Sequence, residues 1–201
     1  MAMMTGQGPF GNAPRGGVQP PAVRLLPGGR HPPALAGLVA FYWKALDGWL
    51  EEDEPALGHA RDPYHRVDAV PSSRHLRVTL DGVVLADSRR TTVIFETAMG
   101  PRWYFPRQDI RVELLDGDAH TVCAYKGHAT YWSVRLPSGL RENIAWSYPE
   151  PRHDAQAVGG RVAFFDEHVD LEVDGQPQPR PRTPWAAPRW WERMADLEAR
   201  I

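Results

Sequence analysis

The chain has 201 residues, a formal net charge of −2 and a single cysteine. This length suits one domain of about 150 residues with extensions. One cysteine excludes an internal disulfide and a structural zinc site of about four ligands, and the charge argues against nucleic acid as a partner. The longest apolar run has ten residues, 34–43, whereas a bilayer needs about 20. With no secretory pattern at the N-terminus, a cytoplasmic location away from membranes is expected.

Composition divides the chain into four segments. Residues 1–36 hold seven prolines and seven glycines without a periodic apolar pattern, which predicts a flexible tail. Residues 37–59 carry a short helical pattern, and residues 60–176 carry the patterns of the folded domain. Residues 177–201 are predicted to form a proline-rich linker followed by an amphipathic helix.

A short N-terminal helix is predicted between residues 41 and 50. Its apolar side chains recur at helical spacing, at Tyr42, Leu46, Trp49 and Leu50. Residues 54–73, which contain Pro55, Gly58, Pro63 and Pro71, are predicted to be a loop.

Strand patterns dominate from Arg74 onward. Apolar and polar residues alternate at 76–80, and the Asp81–Gly82 pair that follows is typical of a type I′ hairpin turn. About nine short strands can be placed, near residues 76–80, 83–85, 92–95, 110–114 (ended by Asp116–Gly117), 121–125, 129–136, 143–148, 162–165 and 169–173. Turn signals every 8–12 residues predict a mainly β, compact antiparallel multi-stranded domain, as a folded-over sheet or barrel-like.

The C-terminal residues have the pattern of an amphipathic helix. Its apolar face consists of Trp190, Met194, Leu197 and Ile201, which step by four, three and four. Such a helix can dock on its own domain. Because adjacent tryptophans are large anchors, it can also bind a partner or form a homodimer, and both alternatives stay open.

A six-residue segment near the N-terminus recurs within the domain. GLVAFY at 37–42 is echoed by GRVAFF at 160–165, and Asp47 is echoed by Asp170 at the same offset of 123. We interpret residues 37–59 as the remnant of an upstream repeat.

Six short motifs follow one another in the folded part, at Ala86–Ser88, Phe95–Thr97, Tyr104–Pro106, Thr121–Trp132, Ala145–Pro149 and Val162–Phe165. Together they resemble the bacterial family called domain of unknown function 427, over roughly residues 61–175. The resemblance implies a compact, mainly β domain that often occurs in tandem, which fits the echo. The chain departs from the family pattern at Ala124, where the family usually has proline, and at His128, where it usually has a small residue. The family has no agreed reaction, and one label likens it to nucleotidyltransferases.

Lysine is rare in this chain, which has 21 arginines but only Lys44 and Lys126. Burial can bring the pKa of a lysine toward neutrality, which permits Schiff-base or general-base chemistry that arginine cannot perform. Lys126 lies within a family motif and precedes Gly127 in a tight turn. It is therefore the first candidate catalytic residue, with a solvated turn lysine as the alternative.

Glu96 and Cys123 complete the candidate catalytic set. Glu96 ends a run of β-forming residues, either at the rim of a pocket or on a solvated face, and with Lys126 it could serve as acid and base. Cys123 is either an activated thiolate or a small buried hydrophobe. A two-residue turn at 126–127 would place it on the apolar face that carries Trp132.

Aromatic residues are concentrated between residues 103 and 148. Tyrosine and tryptophan line small-molecule pockets because each joins a flat apolar wall to one polar group. The candidate ligand-binding residues are Tyr104, Tyr125, Tyr131, Trp132, Trp146 and Tyr148.

A metal site is not predicted. His120 and Cys123 would point to opposite faces of one strand and could not converge with His128 on an ion. His59 and His65, in a proline-bearing loop, form no stronger set.

The leading hypothesis is a domain without metal or other cofactor that binds or transforms a small organic molecule in an aromatic-lined pocket. The residues leave open whether it is an enzyme. One alternative is a protein-interaction module that uses the Trp190–Trp191 helix. A nucleotide-handling enzyme, which rests on the family label alone, is another.

Overall fold

The computed structural model describes residues 23–25 and 38–192. The chain separates into two compact units, 1–60 and 61–201. Most of the predicted tail, and the predicted C-terminal helix from residue 193 onward, lie outside the described residues. No helix in the described ranges is long and apolar enough to cross a membrane.

The described residues of the first unit form two short antiparallel strand pairs. β1 (Val23–Leu25) pairs with β2 (Val39–Phe41), and β3 (Leu50–Glu51) pairs with β4 (Glu54–Pro55). Within the echoed segment, β2 is a strand, as is its counterpart at Arg161–Phe164.

The helix predicted over 41–50 is wrong, because only a 3₁₀ turn forms there, at Trp43–Ala45. The indole N–H of Trp49 donates to the Trp43 carbonyl at 2.9 Å, and the two rings stack with centroids 4.8 Å apart. This contact folds the segment into a tight loop. The segment also contains Gly48, and a glycine costs about 1 kcal/mol in a helix.

The second unit consists of two antiparallel sheets. Its strands are β5 (Val67–Ser72), β6 (Leu76–Leu80), β7 (Val83–Ser88), β8 (Thr91–Glu96), β9 (Arg102–Pro106), β10 (Leu115–Cys123), β11 (Gly127–Leu136), β12 (Gly139–Ser147), β13 (Arg161–Phe164), β14 (Asp170–Val173) and β15 (Gln176–Pro177). The larger sheet, curled into a half-barrel, has the order β10-β11-β12-β13-β9-β8-β5, and the smaller has the order β15-β14-β6-β7. Among its described residues, 3₁₀ turns lie between strands at Arg107–Asp109 and His153–Val158, and another follows β15 at Pro184–Ala186. The mainly β, antiparallel fold is confirmed.

Two apolar clusters fill the second unit. One joins the small sheet to the large one and includes Leu76, Leu85, Val134 and Phe164. The other is rich in aromatic rings and includes Tyr131, Trp146, Tyr148 and Phe165. Successive side chains of a strand point to opposite faces, so β9 contributes Phe105 to the first cluster and Tyr104 to the second.

The hairpin predicted at Asp81–Gly82 forms between β6 and β7, with both residues at positive φ, 50° and 78°. The strand predicted at 110–114 is wrong, because that stretch is irregular and Asp116–Gly117 lies inside β10. Glycine is required there by close packing. A Cβ at 117 would overlap Asn143 Oδ1 and lie 3.0 Å from the Tyr131 carbonyl.

The loop predicted at 54–73 is wrong in its second half, because residues 67–72 form β5. This strand lies at the edge of the large sheet, where β8 is its one partner among the described strands. An edge strand tolerates Pro71, since the missing N–H need not join a ladder.

The described end of the C-terminal segment, up to residue 192, contacts the aromatic cluster of the second unit. A helix begins at Trp190, whose side chain is 2% exposed. Its ring lies 4.7 Å from that of Phe165 and 5.5 Å from that of Tyr131, centroid to centroid. Of the two tryptophans considered as partner anchors, Trp190 is therefore buried in its own domain, while Trp191 is half-buried.

Candidate functional site

The site is built around a three-residue hairpin loop. β10 ends at Cys123, which pairs directly with Gly127 at the start of β11, so the loop is 124–126. A two-residue turn at 126–127, the condition under which Cys123 would share a face with Trp132, does not form. One extra loop residue reverses the face on which Cys123 lies. Cys123 packs against the aromatic cluster with Tyr131, whereas Trp132 packs against the opposite cluster.

Close packing behind the loop directs Lys126 into the protein. Gly127 has a φ of +99°, and a Cβ there would lie 3.2 Å from the Glu150 carbonyl oxygen. The backbone N–H of Arg152 donates to the Lys126 carbonyl at 3.1 Å. The Lys126 side chain is consequently only 8% exposed, unlike that of a solvated turn lysine.

Lys126 and Glu96, both predicted catalytic residues, form a buried ion pair. Lys126 Nζ donates to Glu96 Oε2, and the Glu96 side chain is 7% exposed. Glu96 is the last residue of β8 and lies 30 positions before Lys126. A buried pair of this kind brings a carboxylate base and an ammonium donor to one place.

His65 joins this pair, although its sequence context indicates no more than a weak metal site. Its Nε2 lies 3.2 Å from Glu96 Oε1, and its ring stacks on Tyr125 with centroids 4.0 Å apart. The Tyr125 hydroxyl in turn accepts from the Asp62 N–H at 2.8 Å. No local pattern indicates this contact, because it depends on the pairing of β5, which follows His65, with β8.

A cavity of about 80 Å³ lies beside the ion pair. Glu96 and Lys126 supply its charged groups together with Arg102, and most of its wall is aromatic: Tyr104, Tyr131, Trp146, Tyr148, Phe165 and Trp185. The structure thus brings two of the three predicted catalytic residues to one cavity with four of the six predicted ligand-binding aromatics.

Three predicted site residues are not part of the cavity lining. Tyr125 stacks on His65. Trp132 belongs to the other face of the sheet, where its indole N–H donates to Ser147 Oγ at 2.9 Å. Cys123 packs against the aromatic cluster but does not line the cavity.

The tyrosine hydroxyls of the cavity differ in their partners. Trp146 Nε1 donates to the Tyr104 hydroxyl at 3.0 Å, and the Tyr131 hydroxyl lies 2.7 Å from Thr121 Oγ1. Among the residues that the structure describes, none hydrogen-bonds to the Tyr148 hydroxyl. Burial raises the pKa of both Tyr104 and Tyr148 well above the ordinary value. Tyr148 therefore keeps an O–H that is available to a ligand.

Arg102 is the third charged residue that lines the cavity. Its guanidinium binds Glu167 through two hydrogen bonds, one of 2.9 Å, and Glu167 also accepts from Thr183 Oγ1 at 2.6 Å. The guanidinium carbon lies 5.8 Å and 5.7 Å from the ring centroids of Trp146 and Trp185. Burial alone would lower the pKa of Arg102, but the Glu167 hydrogen bonds raise it. This charge is therefore permanent and already paired.

No three His, Cys, Asp or Glu side chains converge on a metal-sized site within the described ranges. At the cavity itself, Glu96 is accompanied by the ammonium of Lys126, which occupies the place that a cation would take.

Comparison with known families places these residues in context. A family model described as Domain of unknown function (DUF427) matches residues 68–175, just over half of the chain. The chain belongs to this family. The DUF427 match confirms the resemblance seen in the motifs, and it includes Glu96, Lys126 and Tyr148 but not His65. A comparison with curated proteins gave no match.

Proposed function

We propose that this DUF427 domain binds a small, uncharged carbonyl compound in the aromatic cavity. The observation that carries the proposal is the convergence of two hydrogen-bond donors on one apolar space. Lys126 has three N–H donors and uses one on Glu96, and the Tyr148 hydroxyl makes no bond to the described residues. A carbonyl oxygen has two lone pairs and can accept from both.

Charge pairing favours an uncharged ligand. The cavity's cations, Lys126 and Arg102, already pair with Glu96 and Glu167. An anionic group would enter without a free counter-charge, and an unpaired buried charge is costly. An aldehyde, ketone or amide therefore suits the cavity better than a phosphate, which weakens the nucleotide alternative.

The volume limits the part of the ligand that enters. A cavity of about 150 Å³ holds benzene, and this one is about 80 Å³. It therefore suits a group of a few heavy atoms, either a whole small molecule or the end of a larger one. The flat walls of Trp146, Tyr131 and Phe165 provide apolar contact for such a group.

The same groups are arranged for proton transfer. The Glu96 carboxylate can remove a proton from the carbon next to the carbonyl, while Lys126 and Tyr148 stabilise the negative charge that forms on the oxygen. Return of the proton from Glu96 regenerates both ligand and protein. His65, against the second oxygen of Glu96, holds the carboxylate in place. We propose this acid–base chemistry as the catalytic form of the function.

Ligand-observed NMR with butanone, propionamide, propionate and ATP as probes tests the proposal. Butanone and propionamide are expected to bind in preference to the two anions. In the Tyr148→Phe variant their affinity should fall roughly five- to tenfold, since a hydrogen bond is worth about 1 kcal/mol. Its unfolding should be unchanged, because the lost hydroxyl makes no bond to the described residues. Tyr64→Phe, at a side chain that is 90% exposed, is the matched control.

Two outcomes would count against the proposal. Equal binding by wild type and Tyr148→Phe would place the ligand elsewhere, and preferential binding of ATP would favour the nucleotide alternative. Deuterium exchange at the α-carbon of butanone in D₂O separates the catalytic form from binding alone. Exchange accelerated by wild type but not by Tyr148→Phe supports catalysis.

A further inference from the structure

Arg102 also lines a second and larger space. This cleft has a volume of about 580 Å³ and is bordered by Gly100–Trp103 and by the segment from Gln176 to Thr183. Ligand sites for small molecules usually measure about 300–1,000 Å³. The cleft falls within that range, whereas the aromatic cavity does not.

Asp166 is the under-paired charged group in this cleft. Its side chain is 14% exposed, and its contact with Arg102 is long, 3.5 Å from Oδ2 to the guanidinium nitrogen. Arg102 is already bound to Glu167 through both of its terminal nitrogens. One buried cation therefore faces two carboxylates, and Asp166 carries the surplus negative charge. Burial raises the pKa of Asp166 to about 7, the consequence expected for a carboxyl group with so little compensation.

The remaining charged groups of the cleft do not supply the missing cation. Asp174 Oδ1 accepts from the His75 backbone N–H at 2.9 Å. Arg74 lines the rim, where its side chain is exposed and its charge is screened by solvent. Apolar contact is offered by the ring of Trp103 and by Pro179 and Pro181.

We propose that this space, the Asp166 cleft, is a binding site for a small organic cation, an amine or guanidinium joined to an apolar body. The N–H groups of the cation donate hydrogen bonds to the Asp166 carboxylate. Its positive charge compensates Asp166, because the charge of Arg102 is already paired with Glu167. The apolar body lies against Trp103, whose ring also favours a neighbouring cation. The two sites share Arg102 as a lining residue, but this proposal does not rest on the carbonyl site proposed for the aromatic cavity.

The test uses the full chain with phenethylamine as the probe and phenethyl alcohol, of the same shape but uncharged, as the control ligand. Titrations are followed by NMR at pH 8, where Asp166 is ionised and the amine is protonated. The amine is expected to bind at least tenfold more tightly than the alcohol. Asp166→Asn should lower the affinity for phenethylamine at least tenfold, while Tyr148→Phe, in the aromatic cavity, should leave that affinity unchanged.

Asp174→Asn is the matched control, because it removes one negative charge from the same cleft while its amide oxygen can still accept from His75. Its affinity for phenethylamine should stay within about threefold of wild type. Thermal unfolding of Asp166→Asn at or above the wild-type temperature would show that lost binding is not lost folding. Equal binding of amine and alcohol, absence of binding, or equal loss in the two Asp→Asn variants would each overturn the proposal.

Discussion

Replacing Lys126 by methionine should destabilise the domain by about 3–5 kcal/mol, the usual cost of removing one partner of a buried ion pair. The side chains of Lys126 and Glu96 are only 8% and 7% exposed. Methionine can occupy the space of the lysine stem, but it leaves the Glu96 carboxylate buried without its cation. The sequence alone predicts that Lys126→Met keeps the fold with a loss within about 1 kcal/mol, and the burial of the ion pair raises the expected loss above that figure.

The neighbours of Glu96 refine this figure. His65 Nε2 stays 3.2 Å from Oε1 and provides one remaining hydrogen bond, which favours the lower end of the range. Adding Glu96→Gln to Lys126→Met removes the unpaired charge. The double variant is therefore expected to be more stable than Lys126→Met alone, with a coupling energy of about 2 kcal/mol between the two sites.

Urea unfolding of the full chain, followed by circular dichroism, measures these differences. Arg141→Met is the control, because the Arg141–Asp81 pair is 35% and 40% exposed and an exposed pair contributes about 0–1 kcal/mol. If Lys126→Met costs no more than Arg141→Met, Lys126 and Glu96 do not form a buried charged pair. The carbonyl site proposed for the aromatic cavity would then lose one of its two donors.

Three further changes test the rest of the domain. The folded-state pKa of Asp166 is raised from 3.8 to about 7, so the native state holds this proton more tightly than the unfolded state does. The associated stability, at most about 4 kcal/mol, is present below about pH 4 and is lost as pH rises through 7. In calorimetry, Asp166→Asn should flatten this pH dependence and should be more stable than wild type at pH 8. Gly117→Ala should cost about 1–3 kcal/mol, because the new Cβ overlaps Asn143 Oδ1, and an unchanged melting temperature would contradict that packing. Trp190→Ala should cost about 3–5 kcal/mol, as for other buried aromatics, whereas unfolding in urea at the wild-type midpoint would show that Trp190 is outside the core.

Local sequence determines a strand of this protein where both the apolar–polar alternation and the turn that ends the strand are set by neighbouring residues. Alternation at 76–80 gives β6 with its apolar side chains inward, and the Asp81–Gly82 pair provides the positive φ angles of the hairpin turn. The same dipeptide at 116–117 lies inside a strand. The difference is the side chain of Asn143, which approaches residue 117 from β12, and a dipeptide cannot encode that approach.

The candidate site likewise depends partly on local sequence and partly on tertiary contacts. Family motifs identify Glu96, Lys126 and Tyr148, but the face on which Cys123 lies depends on whether the hairpin loop has two residues or three. Burial of the Lys126–Glu96 pair depends on the curl of the large sheet, since four strand-to-strand steps separate β11 from β8 in its order. In a flat sheet those four steps, at about 4.8 Å each, would hold the two side chains far apart. The sequence by itself therefore determined the strands, the family and most of the residue types at the site, while the tertiary structure decided which of them meet and which charges remain under-paired.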